Sequence, residues 1–129
     1  MKEKEADIPL SRKELGFLGE KMAEKFLREK KGYRIIARNY HCPLGEIDMI
    51  ALDKDTVAFI EVRSSSARVA DLAGQSIDNR KQVKLRQLAN FYLKEHHNNT
   101  EPLCRFDVVL VLMAKNGTLR EIRLLQNAF

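Results

Sequence analysis

The chain has 129 residues, 44% of them hydrophobic and 32% charged, with a formal net charge of +5, a composition that fits one soluble domain with a real core. Its longest apolar run, Val108 to Ala114, is far short of the ~20 residues that span a bilayer, and the opening MKEKEADIPL has no apolar centre. Secretion and membrane insertion are therefore not expected. Cys42 and Cys104 stand far apart without a CxxC spacing, which argues against a disulfide framework or zinc ribbon and for a reduced, cytoplasmic setting.

Residues 1–10 read as a flexible lead-in and 11–129 as a single domain. Ser11 and Glu14 have the form of a capping box, and Gly32 stands where a C-terminal cap glycine would, so 12–31 is predicted to be helix. Leu15, Leu18, Met22, Ala23, Phe26 and Leu27 share one face of it, with Gly16 and Gly19. Glycine there suggests close packing on a sheet. Glu20 falls at the edge of that face, where it could turn toward a site, although for this residue alone a solvated helix flank is the simpler reading.

A first strand is expected over 33–40, with His41 and Cys42 in the loop that follows, then a strand pair over 46–52 and 56–63. Residues 64–76 have no firm period. Asp78 precedes a second helix, in which Leu85, Leu88, Ala89, Tyr92 and Leu93 keep helical spacing and Lys81 shares their face. His96 and His97 read as a solvated helix end. Strands over 105–113 and 119–124 flank KNGT, whose Asn-Gly signals a hairpin. The order is αβββαββ. The crossover between the third and fourth strands makes those two parallel, giving an α/β fold with a mixed five-stranded sheet flanked by helices.

The strand pair carries charge at one end only. Glu46, Asp48, Ile50 and Leu52 share a face, as do Val57, Phe59, Glu61 and Arg63. A two- or four-residue turn near Lys54 and Asp55 sets Glu46 opposite Arg63, Asp48 opposite Glu61, Ile50 opposite Phe59 and Leu52 opposite Val57. A three-residue turn puts Asp48 and Glu61 on different faces. Two carboxylates opposed on one face repel by roughly 1–4 kcal/mol, which a hard divalent cation such as Mg²⁺ or Mn²⁺ would relieve. The plainer alternatives are a strand-end ion pair of Glu46 with Arg63, and Asp48 capping a turn or accepting from Arg105.

Positive charge is concentrated between Arg63 and Gln87, where Arg63, Arg68, Arg80, Lys81, Lys84 and Arg86 face only Asp71 and Asp78. That footprint suits a polyanion, nucleic acid before anionic lipid, or a solvated surface. Cations at a helix start are unfavourable unless phosphate or acidic groups lie near.

The strings LGEKMAEKFL, GEIDMIA, FIEVR, DNRKQVKLRQLA, RFDVVLV and the closing NAF, in this order and over nearly the whole chain, resemble the small bacterial YraN-like family. That family is similar to archaeal Holliday-junction resolvases and to restriction-endonuclease-like PD-(D/E)xK nucleases. The resemblance implies a restriction-endonuclease-like fold and a metal-dependent endonuclease acting on branched or otherwise structured DNA. Glu20 then corresponds to the acidic residue of the first helix, Asp48 to the motif aspartate and Glu61 to the motif acid, these three serving Mg²⁺ or Mn²⁺. Arg63 takes the place of the motif lysine, and Lys81 is the amine that could act in its stead. Arg68, Arg80, Lys81, Lys84 and Arg86 are the implied nucleic-acid contacts. Cutting two strands of a junction is compatible with a symmetric homodimer. A guanidinium stays protonated near neutral pH, and SSS follows Arg63 where the family commonly carries a further basic residue. A catalytically degenerate nucleic-acid-binding module and a structural adaptor of the same fold are the rival readings.

Overall fold

A computed structural model of the protein describes residues 8–66, 77–97 and 101–129. Helix α1 (Arg12–Lys30) starts as its capping box requires: Ser11 Oγ accepts from the Glu14 N–H at 3.1 Å, and the Ser11 N–H donates to Glu14 Oε1 at 2.9 Å. It ends one residue earlier than expected, at Lys30, because Gly32 adopts φ +72°, which a Cβ would strain. Strands β1 (Arg34–Cys42), β2 (Gly45–Asp53) and β3 (Thr56–Ser65) follow, then helix α2 (Asn79–His96), capped by Asp78, and strands β4 (Leu103–Met113) and β5 (Leu119–Leu125). His41 and Cys42 close β1 instead of lying in a loop, and Cys42 is buried.

The five strands lie side by side in chain order, with β3 and β4 parallel and every other pair antiparallel. Period-two alternation, broken once in β2 between Ile47 and Met49, sends the two faces to different helices. Ile47, Ile50, Val57, Phe59, Phe106, Val108 and Leu110 pack with Leu85, Leu88, Ala89 and Tyr92 of α2. Met49, Ala51, Ala58, Ile60, Val109, Val111 and Met113 pack with Ala23 and Leu27 of α1. The central strands are thus covered on both sides, which is why FDVVLVLM in β4 is a nearly unbroken apolar run. The result is an α/β fold of order αβββαββ, consistent with a restriction-endonuclease-like architecture.

The two glycines on the inner face of α1 differ. A Cβ on Gly19 would stand 1.9 Å from Ser64 Oγ and 3.1 Å from Ser64 Cβ, so α1 touches β3 there. A Cβ on Gly16 would meet nothing within 4 Å, which corrects the expectation that both mark close packing. We expect Gly16→Ala to raise stability by about 0.8–1 kcal/mol, the helix-propensity difference. Gly19→Leu should cost about 1–3 kcal/mol by forcing the helix off the strand. Urea denaturation of the two variants measures both.

Candidate functional site

The turn between β2 and β3 contains two residues, Lys54 and Asp55, and pairs Asp53 with Thr56, Leu52 with Val57 and Ile50 with Phe59. The even register expected from the pattern is the one formed. The ladder ends, however, at Met49 with Ile60, so Asp48 and Glu61 do not face each other as the next ladder pair. Asp48 Oδ2 instead accepts the Val62 N–H at 2.8 Å, replacing a strand hydrogen bond with a carboxylate contact.

The ladder on the other side of β2 is interrupted at the same residue. Arg38 pairs with Met49 and Tyr40 with Ile47, while Asn39, the residue between, has φ +48°. Asparagine tolerates this left-handed backbone better than most side chains. Both ladders therefore part around Asp48. We expect Asn39→Gly to leave stability within about 0.5 kcal/mol of the native chain, and Asn39→Val to cost roughly 1–3 kcal/mol because a β-branched residue is strained at positive φ. Thermal melts of the pair separate backbone strain from loss of the amide.

A cleft of about 620 Å³ opens at this end of the sheet, lined by Glu20 from α1, Asp48 from β2, Glu61 and Val62 from β3 and Lys81 from the start of α2, with Arg12 and Ser64 to Ser66 on its rim. Gly16 lies in its wall, and the space it leaves belongs to the cleft. Lys81 Nζ is 2.9 Å from Glu61 Oε1. Glu61 Oε2 is buried with no hydrogen-bond partner among the described residues. Asp48 is pushed up to about 6 by burial, opposed by the Val62 N–H and reinforced by the Glu61 charge. Glu20 is raised as well, first by burial and then by the charges of Asp48 and Glu46. The charge of Asp48 thus acts on Glu20, and that of Glu61 on Asp48, across the cleft. Among the described residues no three His, Cys, Asp or Glu side chains gather into a ready-made metal cage.

The remaining candidates are more dispersed. Arg63 is half-buried on β3, beside Leu110 of β4, and is not among the described residues lining the cleft. Glu46 and Asp78 lie with Arg80, Lys81 and Lys84 along a groove that shares Lys81 with the cleft, so acidic groups near this cationic helix start are Glu46, the capping Asp78 and, at Lys81, Glu61. Arg86 lies over the rings of Phe106 and Phe129 at 5.0 and 5.7 Å, outside the described lining of that groove. Arg68 lies outside the described residues. Arg105 pairs with Asp53 and Asp107, not with Asp48. The interruption at Asn39 was not foreseen; its only trace in the sequence is an asparagine within a strand-like run. None of the described helices is long and apolar enough to cross a membrane.

Fold and cleft together describe a small α/β domain with an acidic centre where two central strands separate. The chain belongs to the uncharacterised protein family UPF0102, whose model matches residues 19–111. It is 44% identical over 119 residues to a UPF0102 protein of Pelotomaculum thermopropionicum, covering 92% of this chain and 98% of that one. It is 42% identical over 122 residues to a UPF0102 protein of Desulforamulus reducens (94% and 99%). A third relative, from Moorella thermoacetica, is 38% identical over 122 residues (95% and 100%).

Proposed function

We propose that the protein is a divalent-metal-dependent endonuclease that hydrolyses phosphodiester bonds in structured or branched DNA. The observation that carries this reading is the meeting of Asp48, Glu61, Glu20 and Lys81 in one open cleft, at the point where the strands bearing the first two separate. The donor set suits Mg²⁺ or Mn²⁺. It consists of hard carboxylate oxygens, one of them buried without a partner at Glu61 Oε2, beside an Asp48 whose ionisation burial opposes. Mg²⁺ is commonly held by one or two carboxylates and keeps several waters, so no complete protein cage is required. Asp48 and Glu61 would hold the ion, with Glu20 near enough to orient a water or serve a second ion. When bound, such an ion polarises a phosphoryl oxygen and lowers the pKa of its water.

The chain's own residues supply the rest. The Val62 N–H fixes the Asp48 carboxylate, and Lys81 brings an ammonium into the cleft, where it can offset charge on the phosphate. Arg63 can bind phosphate but is a poor proton acceptor. Arg80 and Lys84 extend positive charge along the groove adjoining Lys81, which suits the sequence-independent part of DNA binding.

The test is cleavage of duplex, single-stranded, flapped and four-way DNA with Mg²⁺ or Mn²⁺, comparing the native chain with Glu61→Ala. Metal-dependent cleavage of the branched substrates is expected, together with a loss of at least about a hundredfold in the variant, comparable to removing a group that stabilises transition-state charge. Equal cleavage by both chains would defeat the assignment. A second reading, a nucleic-acid-binding module without cleavage, is favoured by Arg63 and by the serines at 64–66. It requires salt-dependent DNA binding with no cleavage under any of these conditions.

A further inference from the structure

Residues 17, 20, 21, 24, 25 and 28 follow the spacing of a single helical stripe, and on α1 that stripe forms one wall of a second cleft of about 440 Å³. The cleft shares Glu20 and Asp48 with the carboxylate site, and its far wall is Arg38, Asn39 and Met49. Phe17 stands at the Glu20 end of the stripe. It is 64% exposed, outside the packed face of α1, and Lys21 Nζ lies 4.7 Å from the centre of its ring. An aromatic ring left open to solvent beside an ammonium has no part in the core that α1 builds.

Charge says what kind of occupant this ring suits. Lys21, Lys25, Arg28 and Arg38 all line the cleft, and Glu24 is already taken up by a two-pronged contact from Arg38 and a 3.7 Å approach from Arg28. A purely apolar partner would have to bury those cations. An unpaired nucleotide would not, because its base offers a π-face to the ring and its phosphates meet the cations. Phe17 and Glu20 are three residues apart, about 4.5 Å along the helix axis, so a base on Phe17 would set its own backbone at the entrance of the carboxylate site.

We infer that this cleft binds an unstacked nucleotide next to the phosphate presented to Asp48 and Glu61, with its base on Phe17. This rests on the nuclease reading for what happens at the carboxylates, but the stacking itself does not. It makes the preferred substrate DNA with unpaired nucleotides, at a flap or branch point, because a base held in a duplex has no free face to offer.

The chain contains no tryptophan, so Phe17→Trp introduces a single indole at the proposed stacking position. Titrating that variant with a short oligothymidylate, without divalent ions, should give saturable quenching that deepens when bromouracil replaces thymine and is weak with blunt duplex of the same length. Phe17→Ala should weaken oligothymidylate binding on the order of tenfold. Emission that stays constant while anisotropy shows the oligonucleotide bound, no binding at all, or equal quenching by blunt duplex would each overturn the inference. So would an emission shift that grows with protein concentration in the absence of DNA, which would assign Phe17 to contact between copies. Cleavage by the native chain with a silent indole would remove the stacking cleft and leave the nuclease. Quenching without cleavage would keep the cleft and remove the nuclease.

Discussion

Asp107→Ala is expected to lower folding stability by about 3–5 kcal/mol, enough to unfold a marginal domain, because it strips the partners from a buried ionic network. Asp107 is fully buried in β4. Its carboxylate accepts from Tyr33 Oη at 2.8 Å, from Arg105 Nε at 2.9 and 3.1 Å, and from the Asn127 N–H at 2.9 Å. Arg105 reaches on to Asp53 at 2.7 Å and to the Tyr33 hydroxyl, which also accepts from Gln126. One carboxylate therefore ties the segment after α1, the end of β2, strand β4 and the tail after β5. Alanine would leave the largely buried Arg105 guanidinium with Asp53 as its remaining carboxylate partner, and would remove one of the ties, at the Asn127 N–H, that hold the tail whose Phe129 stacks on Phe106 at 4.9 Å. Tyr33→Phe removes the hydroxyl that donates to Asp107 and accepts from Arg105 and Gln126 but leaves the Asp107–Arg105 ion pair, and should cost less, about 1–3 kcal/mol. Urea denaturation measures both, and equal losses in the two variants would show that the tyrosine contact, not the charge, holds the network.

That network illustrates what the sequence left illegible. Asp107 sits in FDVVLV, where alternation and apolarity predict a strand correctly but say nothing about one acid within it. Beyond the neighbouring Arg105, its partners lie 20 and 74 residues away, and no local pattern encodes such distances. Strand order and helix positions were legible because local signals agreed: a capping box at Ser11, an N-cap at Asp78, a two-residue turn at Lys54 and Asp55. The same turn fixed which face carries Asp48 and Glu61. It could not reveal that the ladder ends one step earlier, since that depends on Asn39 in the neighbouring strand and on a backbone N–H of Val62. Lys81 was legible as an inward-facing residue, yet only the crossing of α2 over the sheet end brings it to Glu61. Phe17 was overlooked because a lone aromatic off the apolar face carries no periodic signal.

Asp48→Asn should change the protein in opposite directions in two assays. The carboxyl is pushed up to about 6, chiefly by burial, from an ordinary value of 3.8. A folded-state value above the unfolded one means that the stability it confers is complete below pH 3.8 and is lost as pH rises through about 6. Above that, the fold bears the cost of a partly buried anion. Two units correspond to about 3 kcal/mol at most, and water in the open cleft screens part of that. The metal-free Asn variant should therefore be about 1–2 kcal/mol more stable than the native chain at pH 7.5 and no more stable at pH 4. Asparagine Oδ1 can still accept the Val62 N–H, so the β2 to β3 contact is retained. If the carboxylate is kept ionised for a dication, Mg²⁺ should raise the native melting temperature and leave the variant unmoved, since only a ligand bound by the folded state stabilises it. Cleavage of branched DNA should fall by at least about a hundredfold. A variant less stable than the native chain at both pH values would mean that the Asp48 charge supports the fold instead of opposing it, and would remove the physical basis for placing a cation there.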